Sequence, residues 1–131
     1  MAAASRLRNM KVTEVAFTGY PVTDIARARS FYEDVLNLEQ SRTFESPNGS
    51  WIEYDLGDSA FAISNMSKEW KPSGDGPAIA FEVDDFDAAV ERLRTNGVKF
   101  VADPFDSPNC RMTIISDPDG NTIIIHKRRP Q

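Results

Sequence analysis

The sequence predicts an α+β fold made of two tandem βαβββ modules, and three observations predict it. Val22-Thr23-Asp24, an amphipathic stretch and Asn37 recur as Val83-Asp84-Asp85, a second amphipathic stretch and Gly97. Each amphipathic stretch is followed by short runs with strand-like alternation. Those runs are joined by turns too short for the crossovers that parallel neighbours need, which disfavours a doubly wound parallel sheet. The reading is a tail over 1–11, then one domain over 12–127 with modules at 12–65 and 77–127 and a linker at 66–76. Paired halves of this kind build one concave site between them.

The first strand is read over Val12 to Thr18, where Val15 and Phe17 alternate with Glu14, Ala16 and Thr18. Gly19-Tyr20-Pro21 reads as a bulge or bend, because Pro21 lacks an amide hydrogen and suits only an edge or bulge. Asp24 is a good helix N-cap, and Ile25, Ala28, Phe31, Tyr32, Val35 and Leu36 follow at helical spacing. Asn37 ends the helix because asparagine tolerates the left-handed conformation. Strands near 40–45, 51–56 and 59–64 follow, separated by Ser46-Pro47-Asn48-Gly49 and by Gly57-Asp58.

Pro72, Gly74 and Gly76 among charges mark the linker. The order then restarts: a strand at 78–83, a helix from Asp85 through Phe86, Ala89, Val90 and Leu93 to Asn96-Gly97, and a strand at 98–101. A loop over 102–109 leads to strands at 111–116 and 122–126, joined by Asp117-Pro118-Asp119-Gly120-Asn121, a tight turn at Gly120.

Bulk properties exclude several function classes. A chain of 131 residues, 40% hydrophobic and 27% charged, suits one globular domain with one core. A formal charge of −5 argues against nucleic acid, whose binding rests on clustered Lys and Arg. No run approaches the roughly 18 apolar residues of a membrane span, so no membrane partner is expected. Cys110 is the single cysteine, cannot pair within the chain, and fits a reducing compartment such as the cytoplasm. No glycine-rich phosphate loop or serine nucleophile elbow is present.

Two such halves, with Phe31-Tyr32-Glu33 in the first helix, Phe81-Glu82-Val83-Asp84-Asp85 leading into the second and Asp117-Pro118-Asp119-Gly120-Asn121 near the end, resemble the vicinal oxygen chelate superfamily of glyoxalases, bleomycin-resistance proteins and extradiol dioxygenases. The resemblance implies a curved mixed sheet around a cleft, helices on the outer face, a small-molecule ligand and a homodimer. In the metal-dependent enzymes of that superfamily a divalent ion is held from the first and last strands of each half. Here those positions fall on Ala78, Ala62 and Ile124, and on Glu14 if Gly19-Tyr20-Pro21 is an insertion or on Phe17 if it is not. Apolar residues offer no donor atom, so no metal and no other cofactor is expected; a divalent ion enters only under a different ligand register.

The expected ligand face carries Glu14, Thr18, Trp51, Glu53, Ala62, Ala78, Ala80, Glu82, Ile124 and His126, with Trp70 and Phe105 as aromatic lids or interface residues. Small residues leave volume and aromatic walls supply stacking, which suits an aromatic or cationic molecule. Glu14, Glu82 and His126 are the candidates for acid–base chemistry should the protein be an enzyme, whether a lyase, an isomerase or a dioxygenase.

Overall fold

The structure, a computed structural model, describes residues 10, 11 and 13–130. Of the expected tail only Met10 and Lys11 fall among the described residues, and Val12 lies outside them. The first module contains β1 (Thr18–Pro21), a helix α1 that runs as Ile25–Arg29 and continues as a π-helical turn over Ser30–Val35, then β2 (Gln40–Ser46), β3 (Gly49–Leu56) and β4 (Ser59–Ser64). The second contains β5 (Ile79–Glu82), α2 (Phe86–Thr95), β6 (Lys99–Asp106), β7 (Cys110–Ser116) and β8 (Thr122–Arg128). Each module forms one four-stranded mixed sheet, in the orders β1-β4-β3-β2 and β5-β8-β7-β6. The expected α+β class and the two βαβββ modules are what the chain adopts.

The repeat is exact enough to fix equivalent positions. Val22 donates its amide to the Ser64 carbonyl at 2.9 Å, and Val83 donates to the His126 carbonyl at 2.9 Å. Asp24 and Asp85 cap their helices identically, each carboxylate accepting at 3.0 Å from the amide three residues on. Asn37 and Gly97, both left-handed with φ of 64° and 68°, end them. Asn37 lies thirteen positions beyond its cap and Gly97 twelve, so α1 holds one extra residue. The helix absorbs it as the π turn, with Leu36 bonding back five residues to Phe31.

The first strand corrects the expectation. Residues 13–17 are irregular and exposed, although the Phe17 ring touches the sheet through Trp51, and the expected bend is the strand itself. Proline is tolerated there because β1 is an edge strand: Val22 turns its amide toward β4, so the neighbouring position 21 turns toward the open edge, where no donor is required. β6 runs through the expected 102–109 loop as far as Asp106 for the same reason. It is the opposite edge of its sheet, and register shifts between Phe100 and Phe105 accommodate Pro104.

The two modules meet through the faces that carry their helices. Phe61 packs edge-on against Phe81 at 5.4 Å, and residues from both modules, including Tyr20, Tyr54, Leu93 and Ile125, form one buried cluster. Tyr20 reaches across so that its hydroxyl accepts from the Ile79 amide at 2.7 Å and donates to the Thr122 carbonyl at 2.5 Å. Tyr32, fully buried in α1, donates to Asp117 at 2.7 Å; burial, reinforced by the Asp117 charge, holds the phenol well above its ordinary pKa and so keeps it a donor. Arg92 on α2 donates to the carbonyls of Asp34 and Val35. Among the described residues no helix is long and apolar enough to cross a membrane.

Replacing Tyr32 by Phe deletes the buried hydroxyl and strips Asp117 of one partner, at a cost of about 1–3 kcal/mol. A urea titration should show a lower midpoint with an unchanged slope, because only stability and not the exposed surface changes.

Candidate functional site

Strand alternation sends the residues not used by the shared core to the opposite face of each sheet. On the first sheet that face carries two rows read across the ladder: Pro21, Ser64, Trp51 and Phe44, and beside them Gly19, Ala62, Glu53 and Arg42. On the second sheet the equivalent rows are Glu82, His126, Met112 and Phe105, and Ala80, Ile124, Ile114 and Ala102.

The first face is aromatic over a floor of small residues. Phe17 meets Trp51 edge to face at 5.2 Å. Trp70, from the linker, lies over Gly19 so closely that a β-carbon there would meet its ring at 3.0 Å, and the ring would have to shift to admit one. Ala62, the partner of Gly19 on β4, is fully buried. Trp51 donates its indole N–H to Glu53 at 2.8 Å, so this carboxylate is held against the ring. Phe44 remains 57% exposed at the outer edge.

The second face is aliphatic with one ionisable pair. His126 Nδ1 lies 2.5 Å from Glu82 Oε1, and the other carboxylate oxygen accepts from the Arg128 amide at 2.6 Å. Partial desolvation pushes the Glu82 pKa up, but the Arg128 amide and the His126 ring outweigh it and hold the carboxyl below its ordinary value. In the first module the same two positions are Pro21 and Ser64, so this pair belongs to one module alone.

The expected site residues do not share one face: Trp51, Glu53, Ala62 and Trp70 lie on the first and Ala80, Glu82, Ile124 and His126 on the second, with Ala78 just before β5 in line with Ala80. Others are corrected. Glu14 sits four positions before β1 in the exposed irregular segment. Thr18 pairs with the core residue Phe61 and so falls on the helix-bearing side. Phe105 is a strand residue 42% exposed opposite Met112, not a loop tip. Glu14, Glu53 and Glu82 form no cluster: Glu53 is held by Trp51 and Glu82 by His126. Among the described residues no hydrogen bond or ring contact runs between the two faces, although a cavity of about 330 Å³ is lined by Gly19, Pro21 and Trp70 of the first and by Ala78 of the second.

A model of the Glyoxalase/Bleomycin resistance protein/Dioxygenase superfamily matches residues 14–125. The chain belongs to that superfamily. Like the expected vicinal oxygen chelate members, it is similar to the uncharacterized protein YaeR of Escherichia coli (strain K12), at 30% identity over 81% of this chain and 89% of that protein. It is also similar to a lactoylglutathione lyase of Haemophilus influenzae, at 31% identity over 84% and 89%. Among solved structures, TnmS3, an antibiotic binding protein from Streptomyces sp. CB03234, shares the fold with a TM-score of 0.76 and 24% identity, over 92% of this chain and all of that one.

Carrying the ligand positions implied by the resemblance through the observed register puts the first on Phe17 rather than on Glu14. Val22 and Val83 are equivalent, so Phe17 corresponds to Ala78, and Ala62 corresponds to Ile124. The four positions from which metal-dependent members would hold an ion are therefore Phe17, Ala62, Ala78 and Ile124, none of which has a donor atom. Such a set does not fit a divalent cation, which needs oxygen, nitrogen or sulfur ligands. Among the described residues no three His, Cys, Asp or Glu side chains are grouped to hold a metal elsewhere. The residues missed from sequence are Gly19, Phe44, Met112 and Ile114; Phe17 is the alternative already open there, the position that applies when Gly19-Tyr20-Pro21 is not an insertion. Aligning the two halves without a gap at Val22 and Val83 places Tyr20 on Phe81 and Phe17 on Ala78, and that was the available signal for Gly19.

Because the Glu82 carboxyl is held below its ordinary value of 4.5, its interactions add stability above that pH and lose it as the pH falls through the lower folded-state value. Melting temperatures of wild type and Glu82→Gln should differ near neutrality, with wild type higher, and converge on acidification below pH 4.5.

Proposed function

We propose that this protein binds a small, flat, largely apolar molecule without a metal, in a cup assembled from the first-module face of one copy and the second-module face of another. The observation that carries the reading is the make-up of the two faces: aromatic rings over Gly19 and Ala62 on one, aliphatic residues around Ala80 on the other, and no donor at any of the four metal positions. Small residues leave room for a ligand, and Phe17, Trp51 and Trp70 supply stacking surface. Glu53 and Glu82 at the margins favour a ligand with a cationic or amine group.

The pairing of copies follows from the same geometry. β1 and β5 each end a sheet with an unpaired edge, and exposed Phe44 and Phe105 occupy equivalent outer positions. Bringing β1 of one copy beside β5 of another covers both edges and turns the faces toward each other. A free, buried Cys110 accords with a cytoplasmic address.

A second reading, acid–base catalysis, is favoured by the Glu82–His126 pair, which points onto the same face, and by the lactoylglutathione lyase among the relatives. In that case the imidazole would exchange a proton with the ligand while Glu82 orients it. The binder is preferred because the face around the pair is aliphatic and presents nothing to stabilise a developing oxyanion.

Four measurements test these readings. Sedimentation equilibrium should give a dimer. Elemental analysis of protein purified without chelator should give far less than one divalent ion per chain, and near-stoichiometric metal would defeat the proposal. Planar aromatic amines should raise the melting temperature and quench tryptophan fluorescence, with Trp51→Ala weakening binding roughly tenfold or more through lost stacking. Lactoylglutathione lyase turnover that disappears in His126→Ala would establish the catalytic reading instead.

A further inference from the structure

The pseudo-symmetry of the two modules is also broken at the turn before the last strand of each, and that break leaves a cavity. On one side the five residues Asp117–Asn121, between β7 and β8, fill the angle between α1 and the end of β1. Asp117 accepts from Tyr32, Asn121 donates to the Pro21 carbonyl at 2.8 Å, and Asp119 accepts from the Thr23 amide at 3.2 Å. On the other side the equivalent connection, between β3 and β4, is only Gly57-Asp58, three residues shorter. The equivalent of Tyr32, eight positions past its helix cap, is Leu93, which has no polar arm to meet a turn. The unfilled angle is a cavity of about 730 Å³.

We propose that this cavity is a second ligand site, on the helix-bearing side of the molecule and adjoining the second-module face only at Ala80 and Glu82, that takes a neutral molecule with a hydrocarbon body. Its volume lies within the range of drug-sized ligand sites, roughly 300–1,000 Å³. The walls are Leu36, Leu56, Phe61, Phe81, Leu93 and Ile125. The charged residues that border it are already engaged: Arg92 donates to two α1 carbonyls, and Glu82 accepts from His126 and Arg128 on the opposite face of its sheet. An ionised ligand would therefore be desolvated without a partner, whereas an uncharged one loses only its contact with water. Thr18 and the exposed Ser59 give the lining two hydroxyls, enough to accept or donate one hydrogen bond to an alcohol, carbonyl or amine.

The probe is 1-adamantanol, uncharged and neither flat nor aromatic and so unsuited to stacking in the cup, titrated into the full chain by isothermal titration calorimetry. Saturable binding at one probe per chain is expected. Ala89→Phe, which extends a ring from α2 into the cavity, should weaken it roughly tenfold or more, and Trp51→Ala, confined to the cup, should leave it within about twofold. Grafting Asp117–Asn121 in place of Gly57-Asp58 closes the cavity by the means the protein already uses and should abolish binding while raising the melting temperature. Methyl NMR on the wild-type chain needs no variant: probe-induced shifts should centre on Leu93 and Ile125 and spare Ile124 and Ile114. Absence of saturable binding, loss of binding in Trp51→Ala with retention in Ala89→Phe, or shifts centred on Ile124 would each overturn the second site while leaving the cup untouched.

Discussion

The Tyr20 hydroxyl, set between the Ile79 amide and the Thr122 carbonyl, is the joint on which the molecule turns. In a regular parallel ladder the amide of residue 79 would pair with β8 directly. Here the first module supplies the bridging group, so the start of the second module's sheet is satisfied only when the modules are docked. Leaving this partly buried amide and carbonyl unmet costs stability, so the penalty for their separation favours docking. Phe61 against Phe81, with Tyr32 bound to Asp117, extends the joint into the shared core. Once the helix-bearing faces are committed to that core, the alternate residues of every strand have no choice but the outward faces.

Duplication explains the architecture, and divergence between the copies explains what the faces can do. Glu82 and His126 stand where the first module has Pro21 and Ser64, which cannot form an ionic pair. Phe17 stands where the second has Ala78, so one face carries a ring where the other carries a methyl group. A cup lined by one face of each kind is therefore asymmetric across its middle, with stacking surface on one wall and a polar pair with aliphatic surroundings on the other. A ligand held there is oriented by that contrast without any metal at the floor.

The helices were the most legible part of the chain. Asp24 and Asp85 announce their helices through a capping chemistry that needs only local backbone, and Asn37 and Gly97 end them through φ values few residues tolerate. The second-module face was also readable, because Ile79 and Phe81 declare which parity goes inward. The first strand was misread because Val15 and Phe17 alternate as a strand would and Pro21 looks like a breaker. Whether proline breaks a strand depends on whether that strand is an edge, and edges are set by the order of strands in the folded sheet. The error reversed the parity of one strand, so Glu14 and Thr18 were placed on the ligand face and Phe17 and Gly19 were not, as a one-residue slip in register requires. The turn-length difference between Gly57-Asp58 and Asp117–Asn121 was in plain view in the sequence. Its meaning was not, because only the docked modules show what the longer turn fills.

On the reading proposed for the cup, ligand and assembly are thermodynamically linked. A site whose walls come from two copies exists only in the dimer, so a ligand that binds it stabilises the dimer by the same free energy with which the dimer strengthens ligand binding. The cavity beneath Leu93 lies within one chain and carries no such linkage at its walls. It does touch β5, the strand whose open edge is offered to the partner, through Ile79, Ala80 and Phe81. A molecule packed there would stiffen β5 before pairing and lower the conformational cost of adding a strand beside it. Occupancy of an intrachain cavity would in that way favour assembly of an interchain cup, through a short strand that borders both.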